Sequence, residues 1–435
     1  LGDVYKRQLP VNYDFDAISS IFNKKIDSFL DTLCYRPASL GIAVSGGSDS
    51  LGLLYLINSW PNPTNLKILV LTVDHDLRHG SAKDATYVSE LCKKLGFPHT
   101  TLLWDHEDMT GNLSANAREA RYKLMKKSLP LNSILMTGHT LDDQAETFLM
   151  RLRRGSGVDG LASMTEQNYL LLDDDKMTLF RPLLEFERQT MRDVLNYKKV
   201  NWIDDPTNKD QSFERVRVRE LVSTFAELGI DKNTIGKTAL LMQSAKIALN
   251  QFALDCYEKF GSCDYGDLVF DFDEFANQPL DIKRRLIAAA QKWISNLKYR
   301  PRLTQVDALI SSIDEKITFS GSGTICYVHG KSIKITREVN ACDNAVGASN
   351  GIIFDNRWKL ITSESSDGLT VKCLGEHGYT LLDPNLRKKI PYKTIIALPG
   401  LFKDRNLINF PFLDPSSKFR FSFCKQPFNQ FLLDH

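Results

Sequence analysis

The residues with the clearest chemical potential are Ser45-Gly46-Gly47-Ser48-Asp49-Ser50. They follow the apolar run Leu40-Gly41-Ile42-Ala43-Val44 and precede Leu51-Gly52-Leu53-Leu54-Tyr55-Leu56-Ile57, an order that reads strand, loop, helix. Backbone N–H groups of such a turn and the positive end of the following helix point to one spot, which makes an anion site. Gly46 and Gly47 let the backbone approach a phosphate and adopt positive φ. Ser45, Ser48 and Ser50 add hydroxyl donors. Asp49 would repel a bare phosphate, so its natural role is to hold Mg²⁺. The spacing lacks the G-x-x-x-x-G-K-[ST] of a Walker loop and the G-x-G-x-x-G of a dinucleotide loop. A Ser/Gly turn without a ligand is the alternative.

Further polar clusters lie downstream. Val73-Asp74-His75-Asp76-Leu77-Arg78 ends a second apolar run, where open α/β sheets bind ligands. In Asn116-Ala117-Arg118-Glu119-Ala120-Arg121-Tyr122 the two arginines are three apart and share a helical face. Gly138-His139-Thr140-Leu141-Asp142-Asp143-Gln144-Ala145-Glu146-Thr147 gathers three carboxylates at a helix start, and Arg151, Arg153 and Arg154 follow. Each has a structural alternative: Asp142 as a helix N-cap, Arg118 and Arg121 as a solvated face, His75 and His139 as donors to backbone.

The elements that must position these residues alternate. Expected strands are Leu40–Val44, Lys67–Val73, Thr100–Trp104 and Ile134–Thr137; expected helices are Leu51–Ile57, Ala82–Leu95, Leu113–Ser128 and Asp142–Arg153. The alternation predicts an α/β fold with a doubly wound parallel sheet and helices on both faces. A loop and then a helix from about Glu187 follow, and Phe213–Leu228 is helical. From Asp231 the pattern turns helical (Ile235–Phe260, Leu280–Ser295, Leu303–Ile313). Beyond Lys316 it turns to short β runs, among them Thr324–Val328, Ser332–Arg337, Gly351–Trp358, Leu369–Cys373 and Lys393–Leu398. The expected organisation is a leader and helix over 1–37, an α/β catalytic domain over 38–230, a helical domain over 231–315 and a small β-rich domain over 316–435.

Length and composition agree with several domains: 435 residues, 43% hydrophobic and 25% charged. The net charge of +2 announces no nucleic-acid partner by itself. No run of about 18 uninterrupted apolar residues occurs, so no membrane partner is expected. Residues Leu1 to Gln8 lack the charged-then-apolar order of a signal peptide. Eight cysteines without a C-x-x-C pair argue against a disulfide framework and a zinc or iron–sulfur knuckle, and for free thiols in a reducing cytosol.

The motif S-G-G-x-D-S after an apolar strand resembles the loop of the PP-loop ATP pyrophosphatases (an adenine nucleotide α-hydrolase-like fold). The wider series, G-H-x-x-D-D-Q-x-E-T at Gly138–Thr147, R-L-x-R-G-S-G from Arg151, R-P-L-L at Arg181–Leu184 and D-P-[ST]-N at Asp205–Asn208, resembles the tRNA(Ile)-lysidine synthetase family from about Leu40 to Arg219. That resemblance implies adenylation by ATP of the C2 oxygen of the wobble cytidine of an isoleucine tRNA with a CAU anticodon. L-lysine would then displace AMP, and a homodimer is among the arrangements it allows. It implies that Ser45–Ser50 and His75 bind ATP and that Asp49 and Asp143 hold Mg²⁺. His139 would lie near the phosphate or base, Arg118 would contact phosphates or the activated cytosine, Asp142 and Glu146 would receive the lysine ammonium, and Arg121 and Arg151 would contact substrate. Which carboxylate serves metal and which lysine is open from spacing.

Three local basic stretches, Arg151–Arg154, Arg215–Arg219 and Lys283–Arg302, suit phosphate contacts or solvated faces equally. The family's R-N-x-[IV]-R has Val216 at the Asn position here. The other readings are a further PP-loop member, such as a thiolase or an amide-forming synthetase, and a non-catalytic RNA-binding protein with a decayed loop. Missing paired cysteines disfavour a thiolase, and the lack of a recognisable glutaminase domain with a Cys nucleophile disfavours a glutamine-dependent synthetase. The intact Asp49, Asp142, Asp143 and Glu146 disfavour the last.

Overall fold

A computed structural model describes residues 14–74, 81–104, 113–172, 175–204 and 210–434. His75 and the stretch Asp205–Asn208 lie outside the described residues. The chain divides into two compact units, Leu1–Lys246 and Ile247–His435, each with its own apolar clusters.

The first unit begins with helix α1 (Phe15–Asp31). The alternation expected from the sequence follows: β1 (Leu40–Ala43), α2 (Ser48–Ser59), β2 (Ile68–Asp74), α3 (Ser81–Leu95), β3 (His99–Leu103), α4 (Leu113–Lys127), β4 (Ile134–Thr137) and α5 (Leu141–Arg153). A one-turn helix α6 (Val158–Leu161), the strands β5 (Gln167–Leu172) and β6 (Asp175–Phe180), and helices α7 (Arg188–Tyr197), α8 (Glu214–Glu227) and α9 (Lys232–Phe260) complete it, the unit boundary falling within α9.

The sheet order is β3-β2-β1-β4-β6-β5. The first five strands pair in parallel, and only β5 runs antiparallel, against β6. Strand β1 has β2 on one side and β4 on the other, with Ile42 level with Val70 and Met136. The chain leaves β1 towards one edge and returns at β4 on the other side. That is the topological switch at which doubly wound sheets open a crevice beyond the carboxyl ends of the strands. Leu40, Ile42, Val70, Ile134 and Met136 are buried on one face of the sheet and Leu71, Leu135 and Leu179 on the other, as a parallel sheet covered on both sides requires.

In the second unit come β7 (Gly261–Asp264), β8 (Asp267–Asp271), α10 (Phe272–Ala276), α11 (Leu280–Ser295), α12 (Leu303–Asp314), β9 (Phe319–Gly321), β10 (Thr324–His329) and β11 (Ser332–Arg337). They are followed by β12 (Val346–Gly347), β13 (Ile353–Phe354), β14 (Trp358–Thr362), β15 (Thr370–Cys373), α13 (Gly375–Leu381), α14 (Tyr392–Ile395), β16 (Pro399–Lys403), β17 (Asn406–Asn409), β18 (Phe419–Phe423) and α15 (Phe428–Asp434). Their antiparallel sheets have five, four and three strands. Several segments differ from the sequence reading: β5 and β6 pair over Gln167–Phe180, where no strand was expected, and Gly351–Trp358, expected as one strand, is divided between β13 and β14. Gly261–Asp271, inside a stretch expected to be helical, is a hairpin paired to β11, and Tyr392–Ile395, overlapping the strand expected over Lys393–Leu398, is a helical turn. Among the described residues no helix is long and apolar enough to cross a membrane.

Candidate active site

A cleft of about 1080 Å³ opens at the carboxyl ends of β1, β2 and β4, within the first unit. That is at the upper end of the size of ordinary ligand pockets, and larger than one nucleotide needs. Its floor is the loop from Ser45 to Ser50. Gly46 has φ +86°, a left-handed backbone that a Cβ would strain, and a Cβ there would come within 2.5 Å of Ile203 Cδ1. The Ile203 N–H donates to the Gly46 carbonyl at 2.9 Å, which pins the loop from its far side. Ser50 stiffens it from within: its hydroxyl accepts the Ser45 N–H at 3.1 Å and donates to the Gly47 carbonyl at 3.1 Å. Gly138 faces the loop across the switch point. A Cβ on Gly138 would stand 2.8 Å from the Asp49 carbonyl oxygen, so β4 and the start of α2 can approach this closely only because residue 138 is glycine.

Asp49, Asp142, Asp143 and Glu146 all line this cleft. Thr140 caps α5: its backbone N–H donates to Asp143 Oδ2 at 2.9 Å and its hydroxyl reaches the same oxygen at 3.2 Å. The N-cap is therefore Thr140, not Asp142, and Asp142 is left to face the cleft.

Each carboxylate meets a cation of the chain itself. Arg188, the first residue of α7, donates from Nε to Asp49 Oδ2 at 2.9 Å and from Nη2 to Asp143 Oδ1 at 3.3 Å; Nη1 lies 3.6 Å from Glu146 Oε1. Arg219 Nε donates to Glu146 Oε1 at 2.8 Å, and Arg215 Nε lies 3.1 Å from Glu146 Oε2 without hydrogen-bond alignment. Asp142 accepts the Arg188 backbone N–H at 2.8 Å and pairs with Lys232 Nζ at 2.5 Å. The Glu146 side chain is only 2% exposed, a burial that paired cations make tolerable.

This arrangement sets the ionisation of the site. Burial pushes the Asp49 carboxyl above the usual range, and Asp143 adds to that, while Arg188 opposes it. Burial acts the same way on Asp143, but Arg188, Arg215 and the Thr140 N–H together bring it below the usual range. Burial lowers His139 to about 3, with Arg181, Arg118 and Arg215 opposing the pull of Asp143. Its ring is neutral at physiological pH, and Nδ1 is 2.8 Å from the Thr137 hydroxyl.

Ser45, Gly47, Ser48, Asp49, Ser50, Arg121, His139, Asp142, Asp143 and Glu146 thus converge on one cleft. Arg121 lies at its wall beside Tyr122, and burial lowers its pKa. Arg118 is exposed and sits 5.3 Å from the Tyr122 ring centroid. Arg151 is away from the lining: its Nη1 donates to the carbonyls of Gly160 at 2.8 Å and Ser163 at 3.1 Å, tying α5 to the turn after α6. Arg188, Arg192 and Lys232 also line the cleft, and sequence reasoning had not placed them there. Arg188 is the fourth residue after R-P-L-L, but nothing in that spacing ties it to Asp49, 139 residues away.

Residues 18–225 match the PP-loop domain family. A tRNA(Ile)-lysidine synthase of Ruegeria pomeroyi is 34% identical over 86% of this chain and 88% of its own length. The enzyme of that name from Wolbachia pipientis wMel is 31% identical over 87% and 90%, and that of Brucella anthropi is 43% identical over 42% of each chain. Similarity at that level over nearly the full length of two relatives, joined to a PP-loop seated at the switch point of the sheet, means that this chain belongs to the tRNA(Ile)-lysidine synthase family.

Proposed function

We propose that this chain is a cytoplasmic ligase that uses ATP to adenylate the C2 oxygen of the wobble cytidine in an isoleucine tRNA with a CAU anticodon, and then joins L-lysine at C2 to give lysidine, AMP and pyrophosphate. The observation that carries this reading is the convergence, in one cleft, of the Ser45–Ser50 loop with four carboxylates and their arginines. A cleft of about 1080 Å³ has room for a nucleotide and a second reactant together.

In the first step the cytidine O2 attacks the α-phosphorus and pyrophosphate leaves. The loop N–H groups and the hydroxyls of Ser45 and Ser48 cradle the phosphates, and Arg121 meets negative charge at the cleft wall; Arg118, exposed and outside the lining, contacts the substrate from the same helix. In the second step the lysine amine attacks C2, AMP departs with the C–O bond electrons, and the amine loses a proton. Asp142 and Glu146 receive a lysine ammonium. His139, being neutral, orients by hydrogen bonding and adds no charge. The chemistry needs positioning and charge stabilisation rather than a protein nucleophile. The donor set fits Mg²⁺: Asp49 and Asp143 bring oxygens to one guanidinium, and Mg²⁺ is commonly held by one or two carboxylates with phosphate and water completing the shell. Bound there, it would neutralise phosphate charge.

The test is pyrophosphate release with candidate tRNAs, with and without L-lysine, followed by nucleoside mass analysis. Lysine-dependent appearance of the heavier cytidine is expected. Sulfur incorporation instead of lysine would make the chain a thiolase. A companion Asp49→Ala variant is expected to lose pyrophosphate release.

A further inference from the structure

The oxygens that Asp49 and Asp143 present to one guanidinium are not open. Asp49 Oδ2 and Asp143 Oδ1 are both held by the guanidinium of Arg188, at 2.9 and 3.3 Å. Their other oxygens are engaged too: Asp49 Oδ1 accepts the Ser48 hydroxyl at 3.0 Å, and Asp143 Oδ2 accepts the Thr140 N–H at 2.9 Å. A divalent cation that used this pair would have to take oxygens from Arg188. The Arg188 side chain is only 16% exposed, and Glu146 also draws on it, so the guanidinium is held from three sides.

We propose that Arg188 is a positioning residue that occupies the metal's place until nucleotide arrives. This inference rests on the reading of Asp49 and Asp143 as the Mg²⁺ carboxylates. Two carboxylates held close in a buried site repel unless a cation lies between them, and Arg188 is that cation. Its single charge keeps the pair ordered. Bare Mg²⁺, which sheds its water reluctantly, must then compete with a guanidinium that bridges both carboxylates. ATP changes the balance, because its phosphates offer Arg188 a second anionic partner and offer the metal further oxygens. Metal binding thereby becomes conditional on nucleotide.

The test uses Mn²⁺ in place of Mg²⁺, with free Mn²⁺ read by electron paramagnetic resonance on the whole chain. Without nucleotide, the unmodified protein is expected to bind Mn²⁺ weakly and Arg188→Met at least about tenfold more tightly, because two carboxylates are freed. Arg188→Lys, which keeps the charge, is expected to stay near the unmodified protein. With a non-hydrolysable ATP analogue, the unmodified protein should rise to the affinity of Arg188→Met. Equal or weaker binding by an Arg188→Met protein with an unchanged circular dichroism spectrum would overturn the proposal. So would equal Mn²⁺ affinity of the unmodified protein with and without the analogue, a measurement that needs no variant to fold. Asp49→Asn and Asp143→Asn separate the two levels of the argument: if neither weakens analogue-dependent Mn²⁺ binding, the metal reading itself is wrong.

Discussion

His139 stands beside three arginines and one carboxylate, and burial together with those arginines lowers its pKa from 6.5 to about 3. Above pH 6.5 the ring is neutral in both folded and unfolded chains, and the protein keeps the full stability of the buried ring. Between pH 6.5 and about 3 the unfolded chain takes up a proton that the folded chain refuses, so stability is lost as the pH falls. The loss is at most about 1.4 kcal/mol per pH unit. His139→Gln, which cannot titrate, is expected to lose less of its urea midpoint between pH 6.5 and 4 than the unmodified protein. Parallel slopes would mean that the ring is not held neutral. The residues of this site divide by how far their partners lie along the chain. Ser45–Ser50 and Gly138–Glu146 were legible because each set is contiguous and its chemistry is carried by local backbone. Arg188 and Lys232 were not, because ion pairs between residues so far apart along the chain leave no local trace, and a lone Arg or Lys at a helix start reads as solvated.

At the scale of elements, the contact of α2 with α7 decides whether Asp49 and Arg188 meet. Gly52 is three residues after Asp49, and Met191 three after Arg188, so the two pairs lie on matching helix faces. A Cβ on Gly52 would stand 2.8 Å from Met191 Sδ and 2.9 Å from Met191 Cβ. The helices can approach this closely only because Gly52 has no side chain. Gly52→Val is therefore expected to cost about 1–3 kcal/mol and to weaken ATP-dependent pyrophosphate release, with Gly52→Ala milder on both counts because Met191 can partly shift. Thermal unfolding and kcat/KM for ATP check this; a Gly52→Val protein unchanged in both would show that the α2–α7 spacing does not govern the site. The helices of the first unit were readable because glycines and apolar periodicity mark their ends. The hairpin of β7 and β8 was not: its turn residues, Tyr265 and Gly266, have φ of 50° and 74°, and Tyr at the first position hides a turn that Asn or Asp would announce. Tyr392–Ile395 misled for a different reason, since a short β-branched run such as Thr394-Ile395-Ile396 fits a strand and a buried helical turn alike.

At the scale of the whole molecule, the apolar clusters fall within one unit or the other. Phe22, Ile42, Leu54 and Met191 belong to a cluster of the first unit, and Leu286, Trp293, Leu309 and Ile335 to one of the second. Chains with separate cores unfold in separate transitions unless their interface is large and apolar. The second unit also contains a buried charge network that the first does not share. Arg337 donates to Asp355 from Nε at 2.9 Å and Nη2 at 2.8 Å, and Arg357 Nη1 lies 3.9 Å from Asp355 Oδ2. Asp355 and Arg357 side chains are each 2% exposed, so removing the carboxylate takes the nearest counter-charge from two buried guanidinium groups and leaves them backbone carbonyls, those of Gly323 and Ala341 for Arg337 and of Gly266 for Arg357. Asp355→Asn does this without backbone strain, because Asn tolerates the left-handed φ of 51° found there. The expected cost is about 3–5 kcal/mol, or roughly 6–20 °C in the midpoint of a unit of this size. A non-hydrolysable ATP analogue at about 100 times its Kd should add about 2.7 kcal/mol to the first unit. Scanning calorimetry of the whole chain is thus expected to give two transitions, one lowered by Asp355→Asn and untouched by the analogue, the other raised by the analogue and untouched by the substitution. A single transition that moves with both perturbations would show that the two cores melt as one cooperative body.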